Sequence, residues 1–199
     1  MNVYQEFTRR LKEDRLIASI KDPKSLDMFL ETNIQSAILL TGNISVIKRY
    51  VELLKKNNRF VFLHIEKIPG ISYDREGLKF IAKFVNPTGI VTTKSSLIQL
   101  AKREGLITIQ RLFLVDTEAV ENGLHSVAEI QPHALEIMPA LIPEMIAKLK
   151  DETNLPIITG GLIQEQRHID AALKSGAVAV STGRPWLWKV QQPTLSMKR

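Results

Sequence analysis

Apolar residues in this chain fall into short unbroken runs, separated by stretches of helical period, and the alternation recurs roughly every 25 residues without identity between copies. The runs Leu16–Ile20, Ser36–Leu40, Arg59–Ile65, Thr88–Thr92, Leu106–Gln110, Ala134–Met138, Leu155–Gly161 and Ala177–Gly183 predict eight strands. Between them, Asp22-Pro23 opens a helix with Leu26, Phe29 and Leu30 inward, and a helix over about residues 44–57 packs through Ile44, Ile47, Val51 and Leu54. Ser95 is read as an N-cap, and Asp116 as the cap of a helix running through Leu124 and Val127. Pro139 and Pro143 bracket a loop before a helix bearing Met145, Ile146 and Leu149, and a further helix spans residues 163–175. Ahead of the first strand, Val3, Tyr4, Phe7 and Leu11 share one helical face, so residues 1–13 hold an N-terminal helix placed to close a barrel floor.

Strands apolar on both faces and regularly followed by helices form a parallel sheet covered on both sides. Eight such units favour closure. The expected fold is a small single-domain (β/α)8 TIM-type barrel covering residues 1–199, with residues 190–199 expected to form a mobile tail. At 199 residues the chain is near the lower size limit for that fold.

The last two predicted strands run directly into small residues, Thr159-Gly160-Gly161 and Ser181-Thr182-Gly183. In this fold the loops after strands 7 and 8, with a short extra helix, commonly cradle a phosphate. Small residues let backbone N–H groups approach the phosphate oxygens. Pro185 suits the first turn of the short helix. Gly160, Gly161, Ser181, Thr182 and Gly183 are therefore the candidate phosphate seat, against the plainer reading of ordinary strand-to-helix turns.

Composition narrows the chemistry. With no cysteine, disulfides, zinc–thiolate sites, iron–sulfur clusters and cysteine nucleophiles are excluded. The repeated His, Asp or Glu spacings of a metal site are missing, and no cofactor is expected. No apolar run is long enough to cross a bilayer, and the N-terminal stretch has no signal-type apolar core, so a cytoplasmic protein without a membrane partner is expected. The net charge is +6, and residues 1–100 carry 16 Lys and Arg against 10 Asp and Glu, so the excess lies in the first half. Its densest point is the second helix with the strand start beyond it, where Lys48, Arg49, Lys55, Lys56 and Arg59 make either a solvated face or an RNA contact.

Polar residues gather at the predicted strand ends. Lys21, Thr41, His64, Glu66, Lys94, Gln110, Arg111, Glu136, Thr159, Ser181 and Thr182 would converge on one face of a barrel. Lys21, His64, Glu66, Lys94, Arg111 and Glu136 are the candidate ligand contacts around the phosphate seat, the cations for charge and the carboxylates for hydroxyls. Each has a duller alternative, such as Glu136 being a buried carboxylate paired with Arg111 or Lys94. The set suits a small phosphorylated polyol, with or without chemistry.

Ile90–Ile98, Thr108–Asp116, Leu135–Pro143, Pro156–Ile163 and Ala177–Gly183, together with Val61–Glu66, Lys21-Asp22-Pro23 and Leu187-Trp188, resemble the glycerol uptake operon antiterminator regulatory proteins. The resemblance covers about residues 16–188. It departs at Glu66-Lys67, at Ala140 and over Gly183–Trp186. It implies a barrel that senses glycerol 3-phosphate, binds the leader mRNA of glycerol-metabolism genes, and favours an antiterminated or more stable transcript. It implies a transcription regulator without catalytic residues. The rival readings are a phosphosugar isomerase or aldolase-like enzyme on the same barrel, and a ligand-binding barrel acting through a protein partner. A homo-oligomer is compatible with the sequence. The loop over residues 67–73 is the expected moving part, on length alone.

Overall fold

Eight parallel strands pair in sequence order, and the eighth closes on the first, giving a complete barrel in the computed structural model, which describes residues 2–189. The strands are β1 (Leu16–Ile20), β2 (Ser36–Leu39), β3 (Phe60–His64), β4 (Gly89–Thr92), β5 (Ile107–Phe113), β6 (Ala134–Met138), β7 (Ile157–Gly160) and β8 (Ala179–Thr182). The helices are α1 (Val3–Asp14), α2 (Pro23–Leu30), α3 (Ile47–Lys56), α4 (Arg75–Phe80, continued by a π-helical turn Ile81–Val85), α5 (Ser95–Arg103), α6 (Thr117–Ile130), α7 (Pro143–Glu152), α8 (Gln166–Lys174) and α9 (Pro185–Trp188). The tail expected at 190–199 lies outside the described residues.

Two apolar clusters follow from the two-residue period of a strand. Outward side chains such as Ala18, Leu39, Leu63, Ile90, Leu135 and Val180 meet the helices in one continuous layer. Inward ones, including Ile17, Ile38, Phe62, Val91, Ile109, Ile158 and Ala179, fill the barrel. Phe7 and Leu11 of α1 belong to this inner cluster, with the Phe7 and Phe62 rings 5.0 Å apart, so α1 plugs the floor as its apolar face predicts. Asn2 and Gln5 form a capping box at its start. Arg10 is buried beneath it, donating to the Asn58 carbonyl at 2.8 Å and lying over the Phe60 ring. Val3 and Tyr4, assigned to the same face, are exposed because that face outruns the barrel floor.

Several boundaries differ from expectation for local reasons. Lys94, not Ser95, occupies the cap position of α5. Ser95 instead bonds the Ser126 hydroxyl and accepts from Gln110. Strand β3 ends at His64, and a 3-10 turn Ile65–Lys67 replaces its last residues. Residues 44–46 precede α3, and Ile44 is exposed. The loop over 67–73 is anchored rather than free, since Ile68 and Ile71 are buried and the Ile44 amide donates to the Pro69 carbonyl.

Candidate functional site

The inward positions change character at the C-terminal ends of the strands. Above the apolar layers come Ser19, His64, Arg111, Glu136, Gly160 and Ser181. Glu136 has no exposure, and both its oxygens are committed. Oε2 accepts from Arg111 Nε and Nη2, each at 2.8 Å, and Oε1 accepts from the Ser181 hydroxyl at 2.6 Å. A buried carboxylate costs several kcal/mol unless it is paired and hydrogen-bonded, and here it is both. Of the two readings of Glu136, the structure shows the ion pair. These bonds hold the Arg111 guanidinium and the Ser181 hydroxyl in place.

Gly160 is part of the same packing. A Cβ there would overlap the Ser181 hydroxyl and crowd the Ser181 carbonyl at 2.9 Å. Gly160 is therefore small to let β7 and β8 pack around Ser181, and it does not line the cavity above. Gly161 adopts φ +77, the left-handed region that favours glycine. A Cβ on Gly183 would lie 2.6 Å from Lys21 Cε, so its absence gives the Lys21 side chain its place.

Over this layer lies a cavity of about 420 Å³ at the barrel mouth. Gly161, Ser181, Thr182 and Gly183 line it together, so the two glycine-bearing turns share one hollow. Lys21, Lys67, Arg111 and Arg184 also line it, and among the described residues no carboxylate does. Four cations around a concave space favour an anion. Pro185 at the first position of α9 stands beside it, and α9 is fixed by Trp188, which is buried and donates to the Thr182 carbonyl at 2.8 Å.

His64 at the end of β3 and Glu66 in the 3-10 turn after it face each other beside this layer, Nδ1 to Oε2 at 3.8 Å. Burial, and then the Arg111 charge, push His64 down to about 4, with Glu66 pulling the other way, so the imidazole is neutral near pH 7. Both its nitrogens and Glu66 Oε2 are buried without a partner among the described residues. Burial pushes Glu66 upward, but the Thr92 hydroxyl and the Thr93 amide on Oε1 outweigh it, leaving its pKa below the ordinary value.

Other sequence candidates lie elsewhere. Lys94 is exposed, with its ammonium 4.2 Å from the centre of the Tyr73 ring, outside the cavity lining. Gln110 points away from the barrel to Ser95, and Thr159 donates to the Ile137 carbonyl. Thr41 is half-buried and outside the lining. On α3, Lys48 lies near Glu52 and over the Phe84 ring, and Lys55 donates to the Asn86 carbonyl. Arg59 corrects the exposed-face reading: its guanidinium turns inward to the carbonyls of Ile34 and Thr32. Arg49 and Lys56 remain exposed without such partners among the described residues. Sequence reasoning missed Ser19, Lys67 and Arg184 as cavity residues. Ser19 shares the inward parity of Ile17, while Lys67 and Arg184 each stand one residue beyond a candidate, which is the signal that would have found them.

A larger hollow of about 740 Å³ lies between α6 and α7 by Tyr4 and His133, at the floor end, and no Lys or Arg among the described residues lines it. Among the described residues no group of three or more His, Asp or Glu is arranged to hold a metal ion, and no helix is long and apolar enough to cross a membrane.

Comparison with known proteins bears on the fold and the family. The Escherichia coli (strain K12) protein YgcP is 30% identical over 185 residues, covering 93% of this chain and 97% of the relative. The crystal structure of the glycerol uptake operon antiterminator regulatory protein of Listeria monocytogenes superposes with a TM-score of 0.85 at 28% identity, over 88% of this chain and 95% of that one. A glycerol uptake operon antiterminator-related protein of Thermotoga maritima gives 0.78 at 26% identity, over 87% and 97%. The family model "Glycerol-3-phosphate responsive antiterminator" matches residues 16–188, and the chain belongs to that family.

Proposed function

We propose that this protein is a glycerol 3-phosphate-responsive regulator that binds the leader mRNA of glycerol-metabolism genes and promotes antitermination or transcript stability. The observation that carries the reading is the mouth cavity: two glycine-bearing turns and four cations around a space with no carboxylate in its wall among the described residues. The phosphate would sit against the Gly161 and Ser181–Gly183 turns, with Lys21, Lys67, Arg111 and Arg184 completing the charge. The glycerol end would point toward His64 and Glu66, which lie outside the cavity lining but carry buried, unpartnered polar atoms that suit hydroxyl groups. Glu136 stays out of ligand contact because it is fully buried and outside the cavity lining.

Ligand binding alters RNA affinity only if the RNA-competent and incompetent states bind the ligand differently. The test combines calorimetry with glycerol 3-phosphate, glycerol and inorganic phosphate, and a gel shift on leader RNA. Binding of the phosphorylated polyol in preference to both fragments, with a ligand-dependent shift, is expected. No binding, or binding without any effect on RNA, overturns the reading.

One observation favours an enzyme instead. His64 has two unpartnered ring nitrogens beside the site, the geometry of a proton acceptor, although a pKa of about 4 makes it a weak base. Turnover of triose or pentose phosphates would establish that alternative. Its absence alongside a gel shift supports the regulator.

A further inference from the structure

The rim of the cavity is divided. Around the β5–β8 side stand Phe113, Val115, Leu141, Leu162 and Trp186, all between 41% and 77% exposed. They stand at or just beyond the C-terminal ends of four successive strands, β5 to β8, of a closed barrel, so they form an arc rather than scattered positions. Leu162 is held at φ +58, a left-handed conformation that is unfavourable for a leucine, yet its side chain is left in solvent. Cations are interleaved with this surface. The Arg184 guanidinium lies 5.1 Å from the Trp186 ring centre, and across the mouth Lys94 lies over Tyr73.

Resting on the RNA-binding reading above, we propose that this arc is where the RNA docks, unpaired bases lying on Phe113, Leu162 and Trp186 while their phosphates meet the rim cations. Exposed aromatic faces beside positive charge are the chemistry that holds single-stranded nucleic acid. Unpaired bases are what proteins read in RNA. A second copy of the chain fits worse. Face-to-face association through the mouth would oppose Lys21, Lys67 and Arg184 of two copies, with no carboxylate in the cavity wall among the described residues to offset them. The helix α3 surface fits worse too, since Lys48, Lys55 and Arg59 already have intramolecular partners. This placement makes coupling short-range, because Arg184 both lines the ligand cavity and backs the Trp186 ring.

The experiment is photocrosslinking of 4-thiouridine-substituted leader transcript to the wild-type protein, with peptide mapping. RNA affinities of Phe113→Ala, Trp186→Ala and Lys56→Glu are measured alongside. Crosslinks on the peptides carrying residues 113 and 186, with roughly tenfold weaker binding for each aromatic removal and little change for Lys56→Glu, are expected. Crosslinks confined to α3, or undiminished affinity in both rim variants, overturn the rim assignment and leave RNA binding standing. Failure of the wild type to bind any leader transcript overturns both. Loss of a sedimenting dimer in the rim variants with RNA affinity intact, or rim-dependent binding to phosphatidylserine vesicles without RNA binding, reassigns the surface and sinks the proposal.

Discussion

Replacing Glu136 by glutamine removes one charge from the top of the barrel while keeping the side chain's shape. The carboxylate receives two bonds from Arg111 at 2.8 Å and one from Ser181 at 2.6 Å, with no solvent access. Glutamine can turn its carbonyl to Arg111 and its amide to the Ser181 oxygen, so hydrogen bonding is largely kept and the change isolates charge. Arg111 is then a buried cation without an anion. Breaking a buried pair from one side costs about 3–5 kcal/mol, and the retained bonds place this case near 3. For a chain of this size that is a fall of about 6–12 °C in Tm. The Arg111→Met change should cost a similar amount alone, and the double variant less than the sum, with coupling of at least about 1.5 kcal/mol. Calorimetric or dye-based melting supplies all four values. Saturating glycerol 3-phosphate should raise Tm more in Glu136→Gln than in the wild type, because the phosphate then supplies the missing counter-charge. A Tm within about 2 °C of the wild type, with additive single changes, would refute the argument that this pair organises the site.

Phe7→Ala empties the floor plug and should cost about 3–5 kcal/mol in urea unfolding; a loss under 1 would mean that α1 does not close the barrel. Gly160→Ala forces a methyl into the Ser181 side chain and should cost about 1–3 kcal/mol, and unchanged melting would contradict the β7–β8 packing described. Gly183→Ala displaces Lys21 instead, whose long stem can move, so the fold should persist while calorimetry shows weaker phosphate-ligand binding. Acid should destabilise the protein through His64. Unfolded it titrates near 6.5 and folded near 4, so its contribution is intact above the first value and is lost as pH falls toward the second. Glu66, held below its ordinary value, adds a loss at lower pH. Urea midpoints measured across that range should fall less steeply in His64→Gln, and parallel curves would discard the assignment.

The barrel was legible because parallel strands buried on both faces read as apolar runs, and all eight begin within three residues of their expected starts. Glu136 betrayed itself as a carboxylate inside such a run. What the sequence hid was which side a strand-end residue faces. Gln110 and Arg111 are neighbours, yet one turns to the helices and the other into the mouth, and only a fixed strand register separates them. Gly160 and Gly161 read alike as phosphate-loop glycines. The first serves packing against Ser181, and only the second lines the cavity. Arg59 lies in a basic stretch, and its inward turn depends on carbonyls of Thr32 and Ile34, more than twenty residues away, which no local pattern reveals.

The most direct test is a structure of the protein soaked or grown with glycerol 3-phosphate. The account predicts the phosphate at the barrel mouth, within hydrogen-bond reach of the Gly161 and Ser181–Gly183 turns and of Lys21 or Arg184. A ligand seated instead in the hollow between α6 and α7, or a mouth left empty at saturating concentration, would contradict it.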